Sequence, residues 1–200
     1  MKNKKNIYRL TESAVFIALA VVLSVIKIWQ MPLGGSITLV SMLPICIISF
    51  RHGVKWGFLS SFVYSLFQLV LGITVDGVFG WGLTPAMLIG CIMFDYIIAF
   101  TVLGIAGICR KKGEVGFYVG IILAFFLRFV SHFLSGYVIF ANLEQWTAFG
   151  STFTNSPALY SICYNGFYIV PELIITIIVV VALMRFPAVK KLILNKSNND

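Results

Sequence analysis

Charge is what this sequence has least of. Only 11% of its 200 residues are Asp, Glu, Lys or Arg, against about 25% in a soluble domain, while 60% are hydrophobic. A water-soluble chain of this length needs far more polar surface; a chain bathed in lipid does not. Acidic residues are scarcest, seven against fifteen basic ones. The resulting net charge of +8 is no sign of nucleic acid, because the basic residues gather in short segments between apolar runs, which is the pattern of membrane topology. Cysteine is limited to Cys46, Cys91, Cys109 and Cys163. None forms a C-x-x-C pair and all lie within or at the ends of apolar runs, so they read as small buried hydrophobes and not as a disulfide framework or metal site. The sequence has no G-x-x-x-x-G-K-[ST] loop and hence no recognisable ATP site of its own. It shows no inverted repeat, no nucleophile motif and no metal-ligand spacing. A cleavable signal peptide is not expected either, since the apolar run around Ala18-Leu19-Ala20 continues through Ile26.

Long apolar runs are what the sequence does have. They predict an all-α integral membrane protein, a single domain over residues 1–200 with six spans at about 11–28, 37–50, 56–73, 86–109, 115–140 and 158–184. The second contains Pro44 and is too short to cross upright unless Met31–Ser36 extends it; a tilted or broken segment is the alternative. Thirteen of the fifteen basic residues fall in the N-terminus, the second and fourth connections and the C-terminus. The other connections carry Asp76 and Glu144, with only Lys27 at their border. The positive-inside rule therefore places both termini in the cytoplasm, and an even number of spans preserves that alternation.

Ionisable groups inside a bilayer are costly, so each needs a reason. Four are embedded: Asp95, Arg128, His132 and Glu172. At 1.5 Å per helical residue, Arg128 and Glu172 lie roughly 20 and 18 Å from the cytoplasmic ends of adjacent helices. Equal depth and opposite sign predict a structural ion pair, with a ligand role as the other reading. Asp95 and His132 sit further out, roughly 21 and 26 Å up. Tyr96, Asn165, Tyr160, Tyr164 and Tyr168 share that zone, the last three on one helix face at i, i+4, i+8. An interfacial aromatic belt accounts for Trp81 and for Tyr160. It does not account for a carboxylate, an imidazole and a carboxamide at one depth on three helices. A shared polar cavity opening outward does, and one acidic group among aromatic faces suits a flat, cationic, nitrogen-rich ligand. Ala14 and Ala18, at i, i+4 in the first span, form a small-residue face that serves either packing within the bundle or docking of another helix.

At these residues the chain resembles the ThiT (YuaJ) family, the thiamine-binding S-components of energy-coupling factor transporters. The similar segments are Leu10-Thr11-Glu12-Ser13-Ala14, Gly34 through Ile45, Phe94-Asp95-Tyr96, Arg128 through Gly136, Tyr160 through Gly166, and Pro171-Glu172. They run in order from the first span to the last. The resemblance implies a six-helix S-component fold, thiamine as the ligand and no cofactor. It implies an acidic group at Asp95 facing the aminopyrimidine, with Tyr96, His132, Tyr160 and Asn165 around the vitamin; Tyr164, on the helix face of Tyr160, is expected to join them. Phe140 falls where some members stack a Trp; Trp146 is a candidate to compensate for it, and Trp29 matches a first-loop aromatic. Met31–Ser36 resembles the segment that closes over the ligand. The implied partners are a membrane coupling subunit and two ATPases, docking on Ala14 and Ala18, in a bacterial cell membrane. An S-component for another planar vitamin or a thiamine precursor is the alternative, and an intramembrane enzyme using Asp95 and His132 as acid and base is a third reading.

Overall fold

A computed structural model of the chain describes residues 2–140, 147–148, 151–152 and 156–194, with side chains over 6–140 and 156–194. Long apolar runs fold as helices because a helix satisfies its backbone internally, and one of them carries a proline, Pro171, in its interior. They are α1 (Lys2–Val25), α2 (Leu43–His52), α3 (Val54–Thr74), α4 (Pro85–Gly107), α5 (Gly113–Val138) and α6 (Pro157–Met184). A short amphipathic helix, α7 (Pro187–Leu194), follows. All of these except α2 and α7 are long and apolar enough to cross a membrane. Proline at the first helical position and a capping hydroxyl start two of them: Thr84 accepts from the Met87 amide and Ser156 from the Leu159 amide, each at 3.4 Å.

The first two apolar runs differ from their expected bounds. Lys27–Gln30 is a strand, β1, rather than the end of the first span, and Ser36–Thr38 is a second strand, β2, rather than the start of the second. They pair antiparallel, with Lys27 opposite Thr38 and Gln30 opposite Ser36. Pro32 at the tip and positive φ at Leu33, Gly34 and Val40 break the helical path on both sides. Only ten residues of the second run remain helical, about 15 Å. Its short helix is wholly buried within the bundle.

The surface and interior follow the logic of lipid. Phe62, Phe67, Phe126, Ile174 and Ile178 are exposed, while Ser49, Ser61, Ser65, Ser135, Ser161 and Thr176 are fully buried. In water this would be inverted; in a bilayer the apolar side chains face solvent. At the end carrying the basic turns, small residues bring α2, α3 and α4 together. Ser49 Oγ donates to the Gly104 carbonyl and accepts from the Gly107 amide at 2.9 Å. A Cβ at Gly104 would fall on the Phe58 backbone. The same end is tied by Glu12, which bonds Arg51 at 2.8 Å and His52 at 2.9 Å. There α7 lies against the bundle, with Ile193 buried and Lys190 bonded to Glu114 at 2.6 Å.

Candidate ligand-binding site

At the opposite end the helices separate around a cavity. Asp95 sits on a π-type turn, Ile92–Ile98, inside α4. The extra residue per turn changes the facing of the side chains, a device common at functional sites. Three bonds pin this turn to α5. Ser131 Oγ donates to the Phe94 carbonyl, His132 Nδ1 lies 2.8 Å from one Asp95 oxygen, and Ser135 Oγ donates to the other. His132 and Ser135 are three residues apart and so share a helix face. A neutral imidazole donating from Nδ1 to a carboxylate presents Nε2 as an acceptor. His132 Nε2 is buried without a protein hydrogen-bond partner, and His132 lines the cavity.

Opposite stands α6. Tyr160 and Tyr164 stack with centroids 5.7 Å apart and planes 20° from parallel. Tyr168 meets Tyr164 edge-on at 6.1 Å and His132 at 5.9 Å. Asn165 is held by its own helix and by α5: Nδ2 donates to the Ser161 carbonyl at 2.9 Å and the His132 carbonyl at 3.2 Å, and Oδ1 accepts from the Tyr168 hydroxyl at 2.9 Å. These bonds fix the aromatic face before any ligand arrives, which lowers the cost of ordering it on binding. Asp95, Tyr96, His132, Phe140, Tyr160, Tyr164 and Asn165 all line this one cavity.

Arg128 and Glu172 lie on its wall, bonded at 3.1 Å. Glu172 also accepts from the Thr38 amide at 3.3 Å and from the Thr38 hydroxyl. Arg128 donates to Met42 Sδ at 2.8 Å and stands 4.8 Å over the Phe100 ring. The pair thereby neutralises two charges at membrane depth and anchors β2 to the helices.

Two aromatic expectations are corrected. Trp29 is not brought to the cavity: it lies on β1 and is 56% exposed. Plain alternation would put Trp29 on the face of Lys27, which lines the cavity, but the bulge between Lys27 and Trp29 shifts that register. Trp81, assigned to an interfacial belt, lines the cavity, and Tyr160, read both as a belt residue and as a ligand-facing one, lines it too. Trp81 is held there by its Nε1, which donates to the Asp76 carbonyl at 3.0 Å, and it meets Phe140 edge-on at 6.0 Å. Trp146 lies outside the described residues. Ala14 and Ala18 are exposed on α1, away from the cavity, whereas neighbouring Ser13 and Ile17 are buried.

Sequence reasoning missed Lys27, Gln68, Asp76 and Ser135. Lys27, Gln68 and Asp76 line the cavity, and Ser135 reaches it through Asp95. A signal existed for two of them: Asp76 is a rare acid in one of the connections that lack basic residues, and Lys27 is the one basic residue bordering those connections. The hairpin tip closes this side. Leu33, Gly34, Gly35 and Ser36 line the cavity, and the Tyr164 hydroxyl donates to the Pro32 carbonyl. Gly35 packs so closely that an added Cβ would stand 3.0 Å from the Tyr164 hydroxyl and 3.1 Å from the Tyr168 ring. Among the described residues no cluster of three or more His, Cys, Asp or Glu side chains is placed to hold a metal ion.

The family described as "Thiamine transporter protein (Thia_YuaJ)" matches residues 10–192. A thiamine transporter ThiT from Bacillus subtilis is 32% identical over 196 residues, covering 90% of this chain and 91% of that protein. One from Lacticaseibacillus paracasei is 26% identical over 200 residues, covering 92% and 90%. The solved structure of ThiT from Listeria monocytogenes superposes with a TM-score of 0.69 at 21% identity, covering 93% of this chain and 98% of that one. That likeness establishes the all-helical membrane fold.

Proposed function

The chain belongs to the thiamine transporter family, and on that premise we propose that it captures thiamine in the cavity at the outer face and delivers it inward with an ATP-driven energy-coupling module. The family is one of transporters, not enzymes, and the chain is a multi-pass membrane protein. The observation that carries the proposal is the convergence of Asp95, His132 and the Tyr160–Tyr164–Tyr168 ladder on one cavity. Thiamine has a flat aminopyrimidine and a cationic thiazolium. A carboxylate receives the amino-heteroaromatic donors or the charge, and tyrosine faces favour a flat cation. His132 Nε2 adds a directional acceptor.

In this reading Asp95, Tyr96, His132, Phe140, Tyr160, Tyr164 and Asn165 bind the vitamin with high affinity. Arg128 and Glu172 hold the inner wall. Both termini are cytoplasmic. The basic segments lie at the ends of the helices remote from the cavity, since α1 runs from its lysines to cavity-lining Ser24 and Val25, and α3 from Lys55 to Leu71 and Val75. The energy comes from two ATPases through a membrane coupling subunit, which docks on the Ala14 and Ala18 face of α1.

The test is a titration of the purified protein in detergent with thiamine, following tryptophan fluorescence. Saturable quenching, resistant to competition by unrelated planar cations, is the expected result. No saturable change, or tighter binding of another vitamin or of a thiamine precursor, overturns the thiamine assignment.

A further inference from the structure

The mouth of the cavity carries a second acidic group that the binding site described above does not use. Asp76 follows α3 and lines the cavity, about one-eighth of its side chain exposed. One of its carboxylate oxygens, Oδ1, accepts from the Lys27 ammonium and from the Gln30 amide at 3.1 Å, both on β1. Its main-chain carbonyl holds the Trp81 indole through the 3.0 Å bond already described. The tip of the hairpin then rests on that indole: a Cβ on Gly34 would stand 2.9 Å from the Trp81 ring. A carboxylate and an aromatic ring that line one cavity can together receive an organic cation. Here the hairpin covers both halves, and the group it lays on the carboxylate is itself a cation.

We propose that Asp76 and Trp81 form an outer receptor site for the cationic ring of the ligand, occupied by the Lys27 ammonium whenever the β1–β2 hairpin is closed over the cavity. This rests on the thiamine reading above. Lifting the hairpin withdraws Lys27 and Gln30 from Asp76 and Gly34 from Trp81. The mouth then gains a negative charge and a bare aromatic ring, which attract and hold a cation on its way to Asp95. Once the ligand has moved inward, Lys27 returns and the mouth is neutral again. One ammonium thus serves as the ligand's stand-in, so attraction is switched on only while the cavity is open. Lys27 and the ligand compete for the same carboxylate.

Competition makes opposite predictions for the two partners. Association of thiamine is followed by stopped-flow tryptophan fluorescence on the full-length protein in detergent, for the unaltered chain, Asp76→Asn and Lys27→Met. At low ionic strength Asp76→Asn is expected to slow association about fivefold, the effect of one unit charge at close approach in water. Lys27→Met is expected to speed association by a similar factor and to speed dissociation, because the hairpin has lost a tie. At about 1 M salt, where the Debye length is only about 3 Å, the three association rates converge. If the ion pair merely stabilises the fold, both variants change in the same direction and salt does not merge them; that result, or unchanged association in both, overturns the proposal. Lys27→Met keeps the test decisive if Asp76→Asn does not fold. A protein that binds thiamine at equilibrium yet fails these kinetics loses only the outer site. One that gives no saturable signal loses the thiamine reading and the outer site together.

Discussion

The two ends of this bundle, which share α4, are built by opposite means. At the end remote from the cavity, α2, α3 and α4 meet through Ser49, Gly57, Gly104 and Gly107, and Glu12 is bonded to Arg51 and His52, Glu114 to Lys190. At the cavity end the facing positions are Tyr96, Phe140, Tyr160, Tyr164 and Tyr168, with a π-type turn in α4 to carry Asp95. Small residues let backbones touch and leave no void. Large rings hold the helices apart and wall the space they create. The contrast teaches that the cavity is not a defect in packing. It is walled by the aromatic side chains of α4 and α6, while α5 and α6 still meet closely beside it at Gly136 and Ser161.

The comparison can be broken by exchanging the two kinds of contact. The largest effect is expected from Gly104→Leu at the closed end, where a side chain has no space beside the Phe58 backbone. Overpacking there should cost about 3 kcal/mol or more. Thermal unfolding in detergent should show the loss, and an unchanged melting temperature would mean that the ends are not differently packed. Next is Asp95→Asn at the open end. Losing a charge-assisted bond of about 2–3 kcal/mol should weaken thiamine binding roughly 100-fold in a fluorescence titration. The helical circular dichroism should stay as it was; undiminished affinity removes Asp95 from the site.

Smaller effects sharpen the picture. Ser135 does not have to touch the ligand; it donates to Asp95. Ser135→Ala should therefore weaken thiamine binding only about fivefold, the worth of about 1 kcal/mol for one hydrogen bond, and Ser135→Thr should restore it. Failure of the threonine to rescue would show that the carboxylate is held in other ways. The smallest effect on binding, none within error, is expected from Ala14→Trp, because Ala14 faces away from the cavity. In whole cells the same variant should abolish thiamine uptake if α1 is the docking helix. Full uptake would show that the module docks elsewhere.

Much of this was legible along the chain. The apolar runs mark where helices form, since in lipid the backbone has no other partner than itself. Asp95, His132 and Asn165 could be recognised as one group because polar side chains at equal depth are too costly to place separately. Arg128 and Glu172 were legible for the same reason, and they lie 3.1 Å apart. The β1–β2 hairpin was not. Lys27 through Thr38 holds Lys27, Gln30, Ser36 and Thr38 beside Pro32 and Gly34-Gly35, which marks a connection between spans but does not say that its two arms pair as strands. Hydropathy reports depth and not path, so it merged the strands with the helices. The tryptophans were misplaced for a related cause. Trp29 and Trp81 have the same composition-level signal, and only the strand register and the bond from Trp81 to Asp76 separate one that faces outward from one that faces the cavity.

By itself, then, the order of residues determined the lipid environment and helical class of this protein and which polar groups had to find one another. These follow from transfer energies that act on each segment locally. The tertiary structure alone decided where the chain turns back as a hairpin, that α4 widens into a π-type turn to present Asp95, and that Lys27 meets Asp76 across forty-nine residues. Such features depend on contacts between segments that composition cannot pair, because each has several neighbours of equal polarity and only packing chooses among them.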